Sequence, residues 1–230
     1  MKFRLWKLDL ALRRLQRRYY RGGPAEGAAI IPEYLATLES ARELVLGGTP
    51  RARCVHLGAG GHHLRGWINV DVLPAGTDVL ANFTAALPFR SGSVDFLHSE
   101  DLLEHLDVDA GKALLAECHR VLRPKGVMRI LTPDLRALVE RVYLRREHDH
   151  LGWCHAHLAA DGPCEALNMH LRMNGEHRFV YDEERLAAVL RSIGFDVRRA
   201  RFNRSSAPEL RYLDLRDFGL NLFLEAVKRG

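Results

Sequence analysis

The chain has no CxxC pair, no apolar run near the roughly 20 residues a bilayer span requires, and no excess charge over most of its length. Each absence excludes something. Its four cysteines, Cys54, Cys118, Cys154 and Cys164, lie far apart, which argues against a disulfide framework. Cys54 and Cys118 sit among apolar residues and read as buried thiols of a reducing, cytoplasmic compartment. Charges are dispersed through Met1–Tyr20, so that stretch lacks the apolar core of a signal peptide. There is no internal repeat and no low-complexity tract. With 230 residues, 47% of them hydrophobic and 27% charged, the chain can build an ordinary globular core without a metal or disulfide staple.

The net charge of +5 is concentrated at one end. Residues 1–21 carry eight basic side chains against one acid, which leaves 26 basic and 28 acidic in the rest. In that leader Leu5, Leu8, Leu12, Leu15 and Tyr19 recur at steps of three and four, with Arg4, Lys7, Arg14, Arg18 and Arg21 off the stripe. The pattern predicts a basic amphipathic helix docked on the body or on a second subunit, or meeting an anionic membrane at the inner face. Gly22-Gly23-Pro24 breaks it, and a second helical pattern runs from Pro32 to Leu46 before Gly47, Gly48 and the turn Thr49-Pro50. The expected organisation is therefore a helix at 1–21, a helical lead-in at 22–50 and one domain at 51–230.

In that domain strands are expected at Cys54–Leu57, Trp67–Val72, Asp78–Leu80, Val94–Ser99, Gly126–Thr132, Asp196–Phe202 and Asn221–Val227. Helices are expected at Asp109–Leu122, from Pro133 to about Glu147, and at Asp182–Ile193, the last with Asp182 as N-cap and Gly194 past its end. This alternation predicts an α/β, Rossmann-like, mostly parallel sheet with helices on both faces. The His-rich stretch at about 148–180 has little periodicity. Its His148, His150, Cys154, His155, His157, Cys164, His170 and His177 match no zinc spacing, so no metal is expected, and the stretch reads as a variable acceptor-binding or lid segment.

The most informative run extends from Val55 to Asp71. A strand leads into Gly58, Ala59, Gly60 and Gly61, where a backbone free of side chains can approach a ligand, and a second strand ends in Asp71, placed to accept from ribose hydroxyls. A dinucleotide site would show a full helix and an acid about 20 residues on. Here Asp71 follows Gly58 by 13 positions and ten residues separate Leu57 from Ile68, too few for a crossover helix. The first helix must be shortened or replaced, which removes much of the dipole site for a pyrophosphate. A nucleoside without phosphates fits better, and S-adenosylmethionine is one. Asn82 and Phe83 close the next strand, where an amide and an apolar neighbour suit an adenine.

The runs LGAGGHHLRGWINVD, LPFRSGSVDFLHSEDLLEHL, ECHRVLRPKGVMRILTPDL and HRFVYDEERLAAVLRSIGFDV resemble the type 11 class I methyltransferases, in particular small bacterial members found near cell-surface glycan genes. The resemblance spans about residues 54–228. It implies an S-adenosylmethionine-dependent methyltransferase in which Gly58, Ala59 and Gly60 lie under the methionine part and Asp71 holds the ribose. Asn82 and Phe83 would border the adenine, with an amide where the family commonly has an acid, and His98 and Ser99 would approach the transfer centre.

Methyl transfer is a displacement at an activated carbon, so positioning supplies much of the rate, with a base for an oxygen or nitrogen acceptor. His98 and Glu100 at the end of the fourth strand, and His105 one turn on, are the catalytic candidates; His63, His177 and Arg178 are the acceptor candidates. The expected acceptor is a small molecule or glycan. Three rivals remain open: a nucleic-acid methyltransferase using the basic leader, an NAD-linked oxidoreductase or epimerase, and a non-catalytic module of the same fold. The near-neutral body and the absence of an NPPY or DPPY motif weigh against the first. The missing YxxxK pair weighs against the second.

Overall fold

The computed structural model describes residues 2–21, 24–46, 53–74, 77–147, 152, 154–155, 159–217 and 219–230. Gly22-Gly23, the turn at residues 47–50, and His148, His150 and His157 lie outside the described residues. The strands are β1 (Cys54–Leu57), β2 (Ile68–Asp71), β3 (Val79–Leu80), β4 (Val94–Glu100), β5 (Leu122–Pro133), β6 (Phe195–Arg199) and β7 (Asn221–Lys228). They form a seven-stranded sheet in the order β3-β2-β1-β4-β5-β7-β6, parallel from β3 to β5, with β7 antiparallel to both β5 and β6. The helices are α1 (Lys2–Arg21), α2 (Pro24–Leu46), α3 (Val108–Val121), α4 (Pro163–Arg172) and α5 (Glu183–Ile193).

Alternation along each strand divides the side chains between two faces. Val55, Leu57, Leu97, Met128, Ile130, Leu222 and Leu224 pack with Leu114 and Leu115 of α3 and Leu186 and Leu190 of α5 in the main core. Cys54 and Val127 point the other way, against Trp67, Leu210 and Leu213. Beyond them α1 and α2 pack on each other and on the body. Leu12 and Leu15 join Ile30, Tyr34, Leu38 and Tyr212 in one cluster, with Leu5 and Leu8 partly covered. Arg204 reaches Asp9 of α1. Leu5, Leu8, Leu12 and Leu15 of the leader's apolar stripe are thus covered, wholly or in part, within the chain. Among the described residues no helix is long and apolar enough to cross a membrane.

Local signals place several elements well. Asp182 accepts from the Arg185 amide at 2.8 Å, and Gly194 takes φ 115°, capping α5 at both ends as expected. Asp107 caps α3 in the same way. Other boundaries move. α2 starts at Pro24 with Pro32 inside it, and β6 covers Phe195–Arg199. The helix after Pro133 is one turn, Leu135–Ala137, running into a π-helical stretch that ends at Leu144. α4 forms inside the stretch read as aperiodic, its first turn opened by Pro163.

Between β1 and β2 there is no helix, as the short spacing requires. Asn69 does the work of one. It is fully buried, and its amide takes the Leu64 N–H on Oδ1 and donates to the Leu64 and Trp67 carbonyls, at 2.8, 3.1 and 3.1 Å. Loop backbone that a helix would have satisfied internally is satisfied by this one side chain.

Asn69 also begins a row of polar residues that crosses six strands. The register pairs it with His56, His56 with His98, His98 with Arg129, Arg129 with Glu225 and Glu225 with Arg198. All but Arg198 are buried. Asp214, on the loop between β6 and β7, is set over the middle of the row. Its Oδ1 accepts from Arg129 Nε at 2.6 Å and lies 3.5 Å from His98 Nε2. Arg129 also donates to the Arg204 and Arg201 carbonyls at 3.0 and 2.8 Å. Burial would raise the Asp214 carboxyl, but the Arg129 guanidinium outweighs it, helped by His98, and holds the group at about 2. Asp214→Ala would leave Arg129 buried with only the more distant Glu225 carboxylate, at 3.5 Å, to balance its charge. We expect a loss of roughly 3–5 kcal/mol in urea unfolding at pH 7; a loss under about 1 kcal/mol would show that the row does not need Asp214.

Candidate active site

β1 delivers the chain to Gly58, whose N–H and that of Ala59 both donate to the Val70 carbonyl of β2, at 2.9 and 3.1 Å. Gly58 has φ 71°, and a Cβ there would stand 3.0 Å from Leu102 Cβ, so the turn requires glycine for both conformation and space. Gly60 has φ 51° with open space beside it. Asp71, at the end of β2, takes the Gly60 N–H on Oδ2 at 2.7 Å and the Leu73 N–H on Oδ1 at 2.9 Å. Its carboxylate therefore fixes the glycine turn, and each oxygen keeps a second lone pair.

A cavity of about 490 Å³ opens over this turn. Gly58, Ala59, Gly60 and Gly61 form one side, with His56, His62, Glu100 and Asp101 behind them. The opposite wall is apolar and comes from the N-terminal helices: Leu15, Ile30, Ile31, Tyr34 and Leu35. Glu100 is buried, and its two oxygens accept the Leu215 and Arg216 amides at 2.8 and 3.1 Å, drawing that loop onto the cavity rim. Burial, and after it the neighbouring Asp101, pushes the Glu100 carboxyl well above the usual range.

A second cavity, of about 350 Å³, adjoins the first. Asp101 and Arg216 line both, and their side chains pair at 3.1 Å. Asp101 has φ 50°, an uncommon conformation for a residue other than glycine, asparagine or aspartate, at the turn where β4 leaves the sheet. Beyond this pair the second cavity holds Glu104, His105, His170 and His177. Glu104 and His105 stand on a single 3-10 turn, Leu103–His105. The Glu104 carbonyl accepts the Arg178 and Phe179 amides at 2.7 and 3.2 Å, which pins the segment carrying His177 beside that turn. Burial first, then Asp101, raises the Glu104 carboxyl to about 8, and burial lowers His177. Among the described residues, one ligand atom each from Glu104, His105 and His177 falls within 4.8 Å of the others.

The structure thus brings Gly58, Ala59, Gly60, Gly61 and Glu100 to one cavity and His105 and His177 to the next, with Asp71 bracing the turn. Other expected residues stand elsewhere. His98 is fully buried in the polar row and lines neither cavity, because its place in β4 turns it under Asp214. Ser99 is buried in the same strand. Phe83 belongs to the main core, and Asn82 is exposed, its Oδ1 taking the Thr84 amide and hydroxyl at 2.9 and 2.8 Å. His63 faces out toward Asp78 at 3.6 Å, and Arg178 is exposed. Sequence reasoning missed Asp101, Arg216 and the wall from α1 and α2. Asp101 lies inside the quoted SEDLLEHL run and was within reach; Arg216 has no local signal.

Residues 68–130, from β2 into β5, match a family model described as a methyltransferase domain, type 11. No protein of curated function matches the sequence. Among solved structures, an S-adenosylmethionine-dependent methyltransferase from Archaeoglobus fulgidus is similar with a TM-score of 0.50 and 14% identity, over 84% of this chain and 93% of that one. An O-methyltransferase family protein from Burkholderia thailandensis is similar with a TM-score of 0.50 and 17% identity, over 100% of this chain and 70% of that one. The chain has the Rossmann-like methyltransferase fold.

The floor of the first cavity carries a titration of its own. Burial, with His98 adding, pushes His62 down to about 4. The unfolded chain binds a proton at His62 near pH 6.5 and the folded chain does not until about pH 4, so stability held above 6.5 is lost as pH falls through that window. His62→Gln removes this dependence. Without added ligand, the drop in unfolding free energy between pH 7 and pH 5 should shrink by on the order of 1–2 kcal/mol in the variant. Equal drops in both proteins would mean that His62 titrates normally.

Proposed function

On the premise of that fold, we propose that the chain is an S-adenosylmethionine-dependent methyltransferase whose acceptor is a small-molecule or glycan-type oxygen or nitrogen. The observation that carries the reading is the pair of cavities meeting at Asp101–Arg216, one floored by a glycine turn and the other lined by titratable groups. The first has the volume of a cofactor pocket. Its backbone, open at Gly60 and Gly61, and the Asp101 carboxylate on its wall suit this cofactor, and Asp71, which braces the turn without lining the cavity, keeps spare lone pairs for a ribose. Bound there, S-adenosylmethionine would supply a methyl group already activated on a sulfonium.

The chain does the rest by placement. Ile31, Tyr34 and Leu35 exclude water on the apolar side. Asp101 and Arg216, held to each other and to β4, mark where donor and acceptor would meet. In the second cavity Glu104, His105 and His177 are the groups able to orient an acceptor and take its proton. His98 does not enter this account, since it lines neither cavity. A dinucleotide reading loses support because no helix follows the glycine turn to hold a pyrophosphate.

Calorimetry on the purified protein tests the reading. S-Adenosylmethionine and its demethylated product should bind, and Asp71→Ala should weaken both by roughly 1.5–3 kcal/mol as the ribose contacts and the braced turn are lost. Binding of NAD with neither of these bound at millimolar levels would sink the proposal. The reading extends to a peripheral place on an anionic surface, supported by the exposed Arg4, Trp6, Lys7, Arg13, Arg14, Arg17 and Arg18 of α1. Flotation with anionic vesicles should then fall off on deleting residues 1–21; equal flotation would remove that extension.

A further inference from the structure

We propose that Glu104, His105 and His177 form a binding site for one divalent first-row transition ion, zinc or manganese by donor type, at the wall of the second cavity. Methyl transfer from a sulfonium does not of itself call for a metal, and the sequence reading expected none. The role given to the ion below rests on the proposed function; the site itself does not.

Several observations converge on these residues. Their ligand atoms lie within 4.8 Å of one another, so each needs to move by under about 1 Å to stand about 2.1 Å from a common ion. One carboxylate and two imidazoles suit zinc, manganese or iron better than magnesium or calcium, which prefer oxygen alone. The carboxylate is prepared for a cation. Glu104 is 1% exposed, Thr132 Oγ1 donates to its Oε2 at 3.0 Å, and its Oε1 has no hydrogen-bond partner among the described residues. A bare oxygen on a buried carboxylate is costly, and an ion removes the cost.

The imidazoles are prepared too. His177 Nδ1 is 2.6 Å from the His170 carbonyl. A carbonyl only accepts, so Nδ1 carries the proton and Nε2 keeps its lone pair, the arrangement in which ligating histidines are held by backbone. His105 follows Glu104 on the same turn, and its ring meets that of His177 edge-on with centroids 5.0 Å apart. The two hydrogen bonds that the Arg178 and Phe179 amides donate to the Glu104 carbonyl lock one half of the site to the other. Three protein ligands leave coordination positions open toward the cavity that also contains Asp101 and Arg216. An acceptor hydroxyl bound there would be both fixed and made more acidic.

The test uses the full chain after dialysis against a chelator, with no methyl donor present. Titration with Co²⁺ followed by visible absorption, and with Zn²⁺ by calorimetry, should give one equivalent per chain. Glu104→Gln, His105→Asn and His177→Gln should each weaken binding at least about tenfold. His63→Gln, at an exposed position outside both cavities, should not. Circular dichroism selects the folded variants, and Glu104→Gln keeps the shape of the side chain. Failure to bind one equivalent below about 100 µM overturns the site, as does a folded variant of any of the three residues that binds as well as the parent. Metal binding without S-adenosylmethionine binding would leave the site standing and remove its role in methyl transfer; S-adenosylmethionine binding without metal binding would overturn the site and leave the proposed function standing.

Discussion

The Arg129–Asp214 pair is the interaction on which the rest of the structure depends. A guanidinium in the middle of a sheet is tolerable only with its charge and its donors met, and Arg129 meets them with Asp214, Glu225 and the carbonyls of Arg201 and Arg204. Such a pair confers little net stability over an apolar replacement, because desolvation offsets its attraction. What it confers is position. Asp214 can be in one place only, and the next two residues, Leu215 and Arg216, are then captured by Glu100 of the neighbouring strand. The loop closing the chain's last hairpin thereby supplies the boundary between the two cavities. The same loop contributes Tyr212 and Leu215 to the apolar cluster that holds α1 and α2, so the wall over the glycine turn is set by the same pair.

A second constraint is the missing helix after β1. Ten residues cannot cross back with a helix, and Asn69 shows how the backbone is satisfied without one. The loss changes what the site can bind. A helix N-terminus directs positive potential at a phosphate, whereas this cavity has Glu100 and Asp101 behind the turn and apolar helix faces opposite. A partly apolar pocket with no helix N-terminus is better matched to a nucleoside without phosphates than to a pyrophosphate.

What could be read in the sequence was what depends on neighbours along the chain. The caps of α5, the alternation of strands and helices that implies a mostly parallel sheet, and the spacing from Gly58 to Asp71 are all local, and the structure has them as expected. Strand-end position was a poorer guide. His98 and Glu100 sit two residues apart at the end of β4, on the same face by period, yet only Glu100 reaches a cavity, because Asp214 arrives over His98 from more than 100 residues away. The polar row was written in the strands as polar residues beside apolar neighbours, His56, Asn69, His98, Arg129 and Glu225, but only the register shows that they stand side by side. Glu104 and His177, 73 residues apart, meet through backbone hydrogen bonds that no side-chain pattern announces.

The N-terminal helices belong with the site although the sequence separates them from the domain. Their charge marks them as an appendage, with eight basic side chains in residues 1–21. Their packing does not. Leu15 and Ile30 are buried and, with Ile31, Tyr34 and Leu35, face the glycine turn across the first cavity. That apolar wall is joined to the body through the loop carrying Tyr212 and Leu215 and through Arg65 of the β1–β2 loop, which pairs with Glu39 and Glu43 of α2. The exposed basic face of α1 and the Leu15 side chain that lines the first cavity thus belong to one helix, so the charge that sets the leader apart and the packing that joins it to the site are carried by the same element.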